Sequence, residues 1–279
     1  MNKIQTPNFI IVGTMKSGTS SLADLLSSNN NIYIPEKELH FFDNFGGYKK
    51  RWNYGLDWYS KQFLNAEENQ IIGEKTPTYS YLKDVPDRIL KTLPDIKLIW
   101  IFRNPVYRTY SNYWHAVING AENKSFTYAI NNEEQRMKKN IWFGYKKRSN
   151  YAEQVENYLK YFNLNKMHFI TLEDLKENPE KVLRSTCTFL DVNFDKNMLS
   201  RNKISNKSYL PKSKILRYYL RKLFGPNSII VKIDKKINIT KTPYPKMSSN
   251  ELDFLNKYFQ KSNLKLQKLT GLDLSHWNN

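Results

Sequence analysis

Residues 9–22 of the chain read FIIVGTMKSGTSSL. The first four letters are apolar and predict a buried strand, and apolar residues recur at helical spacing from Leu22 onward. Gly13 and Gly18 lie in the turn between strand and helix, where they permit a tight backbone path. A strand, a glycine-containing turn and a helix aim backbone N–H groups and the positive end of a helix dipole at one point. This stretch therefore predicts an anion-binding loop in an α/β fold.

The loop differs from the phosphate loop of nucleoside-triphosphate enzymes, G-x-x-x-x-G-K-[ST], in where its lysine stands. Lys16 precedes Gly18 by two residues, and Thr19 occupies the usual lysine position. No obvious strand-ending aspartate offers a magnesium ligand. We therefore expect an anion held without metal by Lys16, Ser17, Gly18, Thr19 and Ser20. A metal-dependent kinase and an ordinary structural turn are the alternatives.

A second stretch, residues 97–111, carries another anion-binding pattern. Arg103 directly follows an apolar strand, at the strand end where open α/β sheets bind ligands. Ser111 comes eight residues later, in a helix that Pro105 is suited to begin. Arginine can hold a phosphate with two parallel hydrogen bonds, and serine can donate a third. Two anion sites at neighbouring strand ends imply a ligand with two separated anionic groups.

The wider pattern alternates apolar runs with helical periodicity, which predicts a parallel sheet with crossover helices. Strands are predicted at 9–12, 71–73, 97–102 and 167–171, and helices at 84–93, from 105, at 150–161, at 179–190 and at 248–269. We predict a single domain over residues 1–279. Its fold class is α/β, a P-loop-like three-layer fold with a central, mainly parallel sheet flanked by helices and a helical C-terminal part.

The composition favours an anionic partner. Of 279 residues, 44 are Lys or Arg and 26 are Asp or Glu, a net charge of +18. Cys187, the single cysteine, excludes an internal disulfide and a multi-cysteine zinc site, and the four scattered histidines lack metal-ligand spacing. No apolar run approaches the roughly 20 residues that cross a bilayer, and the first run is too late and too brief for a signal peptide. We therefore expect a cytoplasmic protein without a metal site.

Several motifs, in this order, resemble those of sulfotransferases that use 3′-phosphoadenosine 5′-phosphosulfate (PAPS). Residues 14–22 are similar to the family's 5′-phosphosulfate loop, and residues 103–113 to its 3′-phosphate motif. Segments 37–43, 55–59 and 73–79 are similar to the heparan sulfate N- and 3-O-sulfotransferases, the carbohydrate branch. The resemblance implies a PAPS-dependent, metal-independent sulfotransferase acting on a carbohydrate or lipid-linked glycan.

The resemblance also implies roles for individual residues. Lys16 would stabilise the departing phosphate as negative charge builds on its bridging oxygen. Glu38 matches the catalytic base of the heparan branch, with His40 as the rival for that role and Asp43 beside it. Lys75 matches a lysine that reaches the active site, although an ion pair with Glu74 is the alternative.

Two further cofactor contacts rest on the resemblance. Tyr151 lies in a segment that borders the nucleotide in relatives, but it also fits a plain core position on its helix. Lys241 lies near the family's late cofactor-binding lysine segment, where the motif is degraded. The relatives also carry a disulfide loop near there, which a chain with one cysteine cannot form.

Residues 201–246 form a basic, lid-like insertion with thirteen Lys or Arg and one acid, Asp234. Within it, residues 211–224 predict a basic amphipathic helix whose apolar residues share one face. Such a helix can pack on the domain with its basic face in water, cap the site, hold the acceptor, or touch a membrane surface. We favour packing on the domain.

Two other classes of function stay open at this point: a nucleotide kinase, and a non-catalytic anion or nucleic-acid binder. The second is disfavoured because the basic residues concentrate late in the chain without a recognised nucleic-acid module. We therefore expect no nucleic-acid partner. Neither the oligomeric state nor the regiochemistry follows from the sequence.

Overall fold

We used a computed structural model, which describes residues 5–43, 51–200, 209–240 and 242–277. Within these residues, five parallel strands form one sheet in the order β2-β3-β1-β4-β5. The strands are β1 (Phe9–Gly13), β2 (Ile32–Tyr33), β3 (Ile71–Lys75), β4 (Lys97–Phe102) and β5 (Met167–Thr171). The predicted parallel sheet is confirmed.

The strand order places a ligand-binding position beside β1. The chain first adds β2 and β3 on one side of β1 and then β4 and β5 on the other. Phe9 of β1 pairs with Gly73 of β3 and with Lys97 of β4, so the three strands run side by side to a common carboxyl edge. Open parallel sheets bind ligands where the strand order reverses in this way.

Twelve α-helices are present in the described part of the chain, with short 3-10 turns between some of them. In chain order they are α1 (Thr19–Leu26), α2 (Gly55–Ser60), α3 (Val85–Thr92), α4 (Pro105–Ile118), α5 (Phe126–Asn131), α6 (Glu133–Met137), α7 (Tyr151–Leu159), α8 (Leu172–Glu177), α9 (Pro179–Leu190), α10 (Lys214–Phe224), α11 (Ile229–Ile237) and α12 (Ser249–Thr270). No helix among the described residues combines the length and apolarity needed to cross a membrane.

The described chain divides into two compact units. The sheet unit comprises residues up to 103, 151–200 and 262–276, and the helical unit comprises residues 104–150, the described part of 209–261, and 277. In the sheet unit, Ile11 of β1 and Ile99 of β4 pack in one buried cluster with Leu22 of α1 and Leu183 of α9. The strands read as continuous apolar runs because both faces of a parallel sheet are covered.

The helical unit has its own core, built mainly from aromatic residues of α4 and apolar residues of α5 and α12. Tyr110 and Tyr113 of α4 meet Phe126 of α5 with ring centroids 4.8 and 5.1 Å apart. Phe259 of α12 completes the same cluster. Pro105 occupies the first turn of α4, as predicted, because its missing N–H is not needed there.

The structure reverses the expected orientation of the basic amphipathic helix. The residues predicted to face the domain from 211–224 are largely exposed, including Ile215, Leu216 and Leu223. Arg217, on the predicted solvent face, is instead buried. Helical periodicity identifies which residues share a face, but the direction of that face depends on which groups find partners in the fold.

Candidate active site

The anion loop (residues 14–20) comprises the turn after β1 and the first two residues of α1. Gly18 is the N-cap of α1 with φ 94°, a left-handed conformation that favours glycine. A Cβ at Gly18 would also lie 2.6 Å from Leu172 Cδ1, so the position has little room for a side chain. Because Gly18 has no side chain to cap the helix, the first-turn N–H groups at Thr19 and Ser20 point to where an anion can accept from them.

Hydrogen bonds within the loop fix its path. The Thr14 N–H donates to the carbonyl of Ile101 on β4 at 2.8 Å, which ties the loop to the neighbouring strand. The Thr14 and Ser17 hydroxyl oxygens lie 2.6 Å apart, and the Ser17 N–H donates to the Thr14 carbonyl at 3.1 Å. Ser17 therefore braces the loop from inside, and a direct contact of its side chain with an anion stays a prediction.

Lys16 and Arg103 lie together in the sheet unit. Lys16 has φ 72°, and the Arg103 guanidinium donates to its carbonyl oxygen at 3.4 Å. The Tyr151 hydroxyl donates to the Arg103 carbonyl at 2.9 Å, and the Tyr151 ring packs against Phe102 with centroids 5.0 Å apart. Tyr151 is fully buried, so its observed contacts are those of a core residue that supports the backbone of Arg103.

Lys75 reaches the anion loop rather than Glu74. Its ammonium donates to the Ser20 hydroxyl of α1 at 3.4 Å. The Glu74 carboxylate instead accepts from three hydroxyl groups, those of Tyr59, Thr76 and Tyr79. The proposed Lys75–Glu74 ion pair is therefore wrong, because consecutive side chains on a strand point to opposite faces of the sheet.

The acid cluster (Glu38, His40 and Asp43) lies on the segment after β2. His40 Nδ1 is 2.9 Å from Asp43 Oδ2, and His40 Nε2 is 3.3 Å from Glu38 Oε2. The Thr78 hydroxyl also donates to Asp43. The Asp43 side chain is 0% exposed, whereas that of Glu38 is 38% exposed, so the cluster opens to solvent at Glu38.

Asp43 and Glu38 favour the protonated form of the His40 imidazole. Burial alone would lower its pKa, but hydrogen bonds and negative charge from Asp43 and Glu38 outweigh burial and raise the pKa to about 9. Both ring N–H groups of His40 are then donors, one to Asp43 and one to Glu38. A protonated imidazole cannot accept another proton, so Glu38 is the better candidate for a general base.

The end of β3 links the acid cluster to the anion loop. Lys75 contacts Ser20 of α1, and the next residue, Thr76, accepts from the His40 backbone N–H at 3.4 Å. Consecutive residues at this strand end therefore contact a side chain of the anion loop and the backbone of the segment that carries the acid cluster.

A buried hydrogen-bond network supports the segment that carries the acid cluster. The Tyr79 hydroxyl accepts from the backbone N–H groups of Phe41 and Phe42 at 2.8 and 3.1 Å and donates to Glu74 at 2.7 Å. Burial raises the Glu74 pKa to about 7, despite the opposing hydrogen bonds from Tyr59, Tyr79 and Thr76. Glu74 therefore organises the hydroxyls that fix the Phe41–Phe42 backbone.

Sequence reasoning missed Thr76, Thr78 and Tyr79 as supports of the acid cluster. These residues were recognised only as part of the segment 73–79. Polar side chains at the buried end of an apolar strand were the available signal, because buried hydroxyls need partners. Which partners they find depends on the approach of a segment far away in the chain.

Two further residues were predicted to contact the cofactor, Ser111 and Lys241. Ser111 is on α4 in the helical unit, where it is buried. Lys241 lies outside the described residues. Their proposed contacts with a nucleotide stay predictions.

Comparison with known proteins identifies the family of the chain. Residues 6–271 match the family model described as the sulfotransferase domain. The heparan sulfate glucosamine 3-O-sulfotransferase 5 of Mus musculus is 32% identical over 192 residues, which are 67% of this chain and 54% of that protein. The bifunctional heparan sulfate N-deacetylase/N-sulfotransferase of Drosophila melanogaster is 28% identical, over 94% of this chain and 26% of that protein.

A solved structure covers nearly the whole chain. The sulfotransferase from Alicyclobacillus acidocaldarius is 26% identical and superposes with a TM-score of 0.74, over 99% of this chain and 100% of that one. The chain spans about half the length of the 3-O-sulfotransferase 5 that it matches. With a family model that matches nearly all of its length, the chain belongs to the sulfotransferase domain family.

Proposed function

We propose that this protein transfers a sulfuryl group from PAPS to a hydroxyl, or an amine, of a carbohydrate or lipid-linked glycan, in line and without a metal ion. The observation that carries the proposal is that consecutive residues, Lys75 and Thr76, contact the anion loop and the backbone of the acid-cluster segment. One group is suited to hold a phosphate that leaves, and the other is suited to accept the proton of an incoming nucleophile.

The donors at the carboxyl edge fit a doubly phosphorylated nucleotide. Lys16, Lys75 and the uncapped start of α1 offer cationic and N–H donors on one side, and Arg103 lies beside Lys16. Such donors favour phosphate oxygens, and a fixed arginine discriminates in favour of a second phosphate. When bound, PAPS supplies a sulfuryl group whose sulfur–oxygen bond to the 5′-phosphate breaks as sulfur bonds to the acceptor.

Each half of the site has a defined task. The Lys16 ammonium neutralises negative charge that builds on the leaving phosphate oxygen, which requires no proton transfer. Glu38 accepts the proton of the acceptor hydroxyl at its exposed carboxylate. His40, held by Asp43, fixes the orientation of that carboxylate through Nε2–H.

Support for a carbohydrate acceptor comes from the relatives. The mouse protein is named a heparan sulfate glucosamine 3-O-sulfotransferase, and the fly protein carries a heparan sulfate N-sulfotransferase activity in its name. Those names include both an oxygen and a nitrogen acceptor. We therefore include hydroxyl and amine groups of sugars in the proposal.

The test is sulfuryl transfer from radiolabelled PAPS to a panel of acceptors with and without a chelator. The panel contains desulfated glucosaminoglycan oligosaccharides, N-unsubstituted glucosamine oligosaccharides and a lipid-linked sugar. We expect label in at least one sugar, unchanged by the chelator, and about 10²–10³-fold lower kcat for Lys16→Ala. Lys181→Ala, which changes an exposed lysine of α9, is the control and keeps the activity.

Three results would contradict the proposal: no labelled sugar anywhere in the panel, loss of transfer on chelation, or a Lys16→Ala enzyme as fast as the parent. Magnesium-dependent turnover of ATP without response to PAPS would instead support the kinase alternative.

A further inference from the structure

The α10–α11 hairpin (residues 214–237) exposes most of its large apolar residues, whereas Arg217 and Asp234 are buried. Leu223 at the end of α10 and Ile229 at the start of α11 are each 73% exposed. The other exposed large apolar residues of the hairpin are Ile215, Leu216, Tyr219, Phe224, Ile230, Ile233 and Ile237. Contiguous apolar surface of this kind marks an interaction site on a soluble domain.

Polar contacts fix the hairpin in this orientation. Arg217 of α10 is 1% exposed, and its guanidinium donates to the Asp234 carboxylate of α11 at 2.6 Å. The same guanidinium donates to the carbonyls of Asn238, at 2.7 Å, and Ile118, at 3.2 Å. Rotating either helix to bury its apolar face would break this network, so the outward apolar face belongs to the folded state.

The backbone contact beneath α10 adds to this restraint. Gly120 has φ 70°, and a Cβ at that position would lie 2.8 Å from the Arg217 carbonyl oxygen. Arg221 donates to the carbonyl of Asn119 at 2.9 Å, and Lys235 donates to its side-chain oxygen at 3.0 Å. Both helices therefore approach the turn after α4 through their polar sides.

Basic residues border the exposed apolar surface. Lys212, Lys222, Lys232 and Lys236 are exposed around the hairpin, while Asp234, its acidic residue, is buried against Arg217. An apolar strip with a cationic border matches the interface of an anionic bilayer, where acyl chains lie beneath negative headgroups.

We propose that the α10–α11 hairpin inserts its apolar face into the surface of a membrane that contains anionic lipids. The residues around the 225–228 turn, Leu223, Phe224, Ile229 and Ile230, enter the acyl boundary, and the lysines contact headgroups. The proposal concerns where the protein acts and does not depend on its sulfuryl-transfer activity.

The charge of the hairpin favours an anionic membrane over a second copy of the chain or a nucleic acid as its partner. A second copy of the hairpin would bring the exposed lysines of both copies together, and like charges in contact oppose association. A nucleic acid would place phosphates against the exposed leucines and isoleucines, which offer no hydrogen-bond donor. An anionic bilayer satisfies both the lysines and the apolar residues.

The test is sedimentation of the full chain with phosphatidylcholine vesicles that contain or lack phosphatidylglycerol. We expect binding to the anionic vesicles and at least about fivefold weaker binding to neutral ones. The double variant Leu223→Ser/Ile229→Ser lowers the partition coefficient on anionic vesicles by at least about tenfold. Lys222→Glu/Lys236→Glu also weakens binding to anionic vesicles.

Leu164→Ser is the matched control, because it removes an exposed leucine of the sheet unit. It is expected to bind vesicles like the parent chain. Circular dichroism and light scattering on each variant report folding and oligomeric state. The proposal is overturned if the parent chain ignores both vesicle types, if control and hairpin variants bind equally, or if the hairpin variants instead dissociate a dimer that binds no vesicles.

Discussion

Each unit contains one buried cluster of charged side chains, and only the cluster of the sheet unit has a side chain exposed to solvent. In the sheet unit, His40 lies between Asp43, which is sealed from solvent, and Glu38, whose carboxylate is exposed. In the helical unit, Arg217 and Asp234 are both sealed, and backbone carbonyls satisfy the remaining guanidinium donors. In the first cluster the Glu38 carboxylate is accessible as a proton acceptor, whereas the hydrogen bonds of the second cluster all lie within the folded chain.

We propose that this difference in exposure separates a catalytic ion pair from a structural one. A buried charge that leaves no group exposed can only stabilise or destabilise the fold, because no substrate reaches it. A cluster with one exposed carboxylate and a fixed interior can position that carboxylate for a proton transfer. The two clusters should therefore respond in opposite ways to substitution.

The largest expected effect is on the open cluster. Glu38→Gln removes the proton acceptor and is expected to lower kcat by about 10²–10⁴-fold. The affinity for adenosine 3′,5′-diphosphate should change little, because Glu38 does not belong to the anion loop. Steady-state kinetics and calorimetry measure these quantities. Glu36→Gln, an exposed carboxylate on the same segment, is the control, and equal losses in both variants would remove Glu38 from the base role.

The next largest effect is on the sealed cluster. Arg217→Met leaves Asp234 buried without its ion-pair partner, which is expected to lower the unfolding free energy by about 3–5 kcal/mol. Urea denaturation of the chain measures it. Arg184→Met breaks a half-exposed pair with Glu180 and should cost less than about 1 kcal/mol. Similar losses for the two variants would show that the Arg217 cluster is not the anchor of the hairpin.

A third effect concerns the titration of His40. Because its folded pKa, about 9, lies above the ordinary 6.5, the imidazolium stabilises the fold fully below pH 6.5 and loses this contribution as the pH rises through 9. Because the protonated imidazole orients Glu38, we expect kcat to fall as the pH rises through the His40 pKa. Asp43→Asn removes one cause of the raised pKa, so both the His40 pKa and this fall in kcat should move to lower pH. NMR titration of the His40 ring measures the pKa.

Asp95→Asn is the control for that titration, since Asp95 is an exposed carboxylate elsewhere in the sheet unit. It should leave the His40 resonances and the kcat profile in place. A His40 pKa near 6.5 in the parent enzyme would contradict the arrangement in which both His40 N–H groups donate to carboxylates.

The smallest effect is expected from Tyr79, whose hydroxyl fixes the backbone of the segment that carries the acid cluster. Tyr79→Phe removes the hydroxyl that accepts from the Phe41 and Phe42 N–H groups, which is expected to lower kcat about two- to tenfold. KM for PAPS should stay the same, because Tyr79 does not belong to the anion loop. Tyr33→Phe, on the edge strand, is the control. A rise in KM with unchanged kcat would assign Tyr79 to binding instead.

Much of the sheet unit was predictable because buried strands appear in the sequence as runs of apolar residues. The strands 97–102 and 167–171 and the helix 179–190 have their predicted bounds, since both faces of a parallel sheet require apolar residues and Pro179 suits a helix start. β2 was missed because it has only two residues, whose pairing with Ile71 and Ile72 depends on tertiary contacts. α11 was also missed, although its isoleucines at 229, 230, 233 and 237 recur at helical spacing.

The candidate site was predictable where a motif is local in sequence. Lys16 and Arg103 follow strands, and Glu38 and His40 lie in one short segment. The bond from the His40 N–H to Thr76 joins residues 36 positions apart, which no local pattern encodes. The hydrogen-bond partner of Lys75 could likewise not be read from the sequence. It depends on the position of Lys75 in β3, where alternation directs Glu74 and Lys75 to opposite faces of the sheet.

The central claim is that Lys16 and Arg103 hold two phosphates of one nucleotide. The most direct measurement is calorimetric titration of the parent chain and of Arg103→Ala with adenosine 3′,5′-diphosphate and with adenosine 5′-phosphate. The account predicts that the parent binds the diphosphate more tightly, and that Arg103→Ala weakens the diphosphate by about ten- to hundredfold while the monophosphate changes little. No binding of the diphosphate to the parent, or equal losses for both nucleotides, would contradict it.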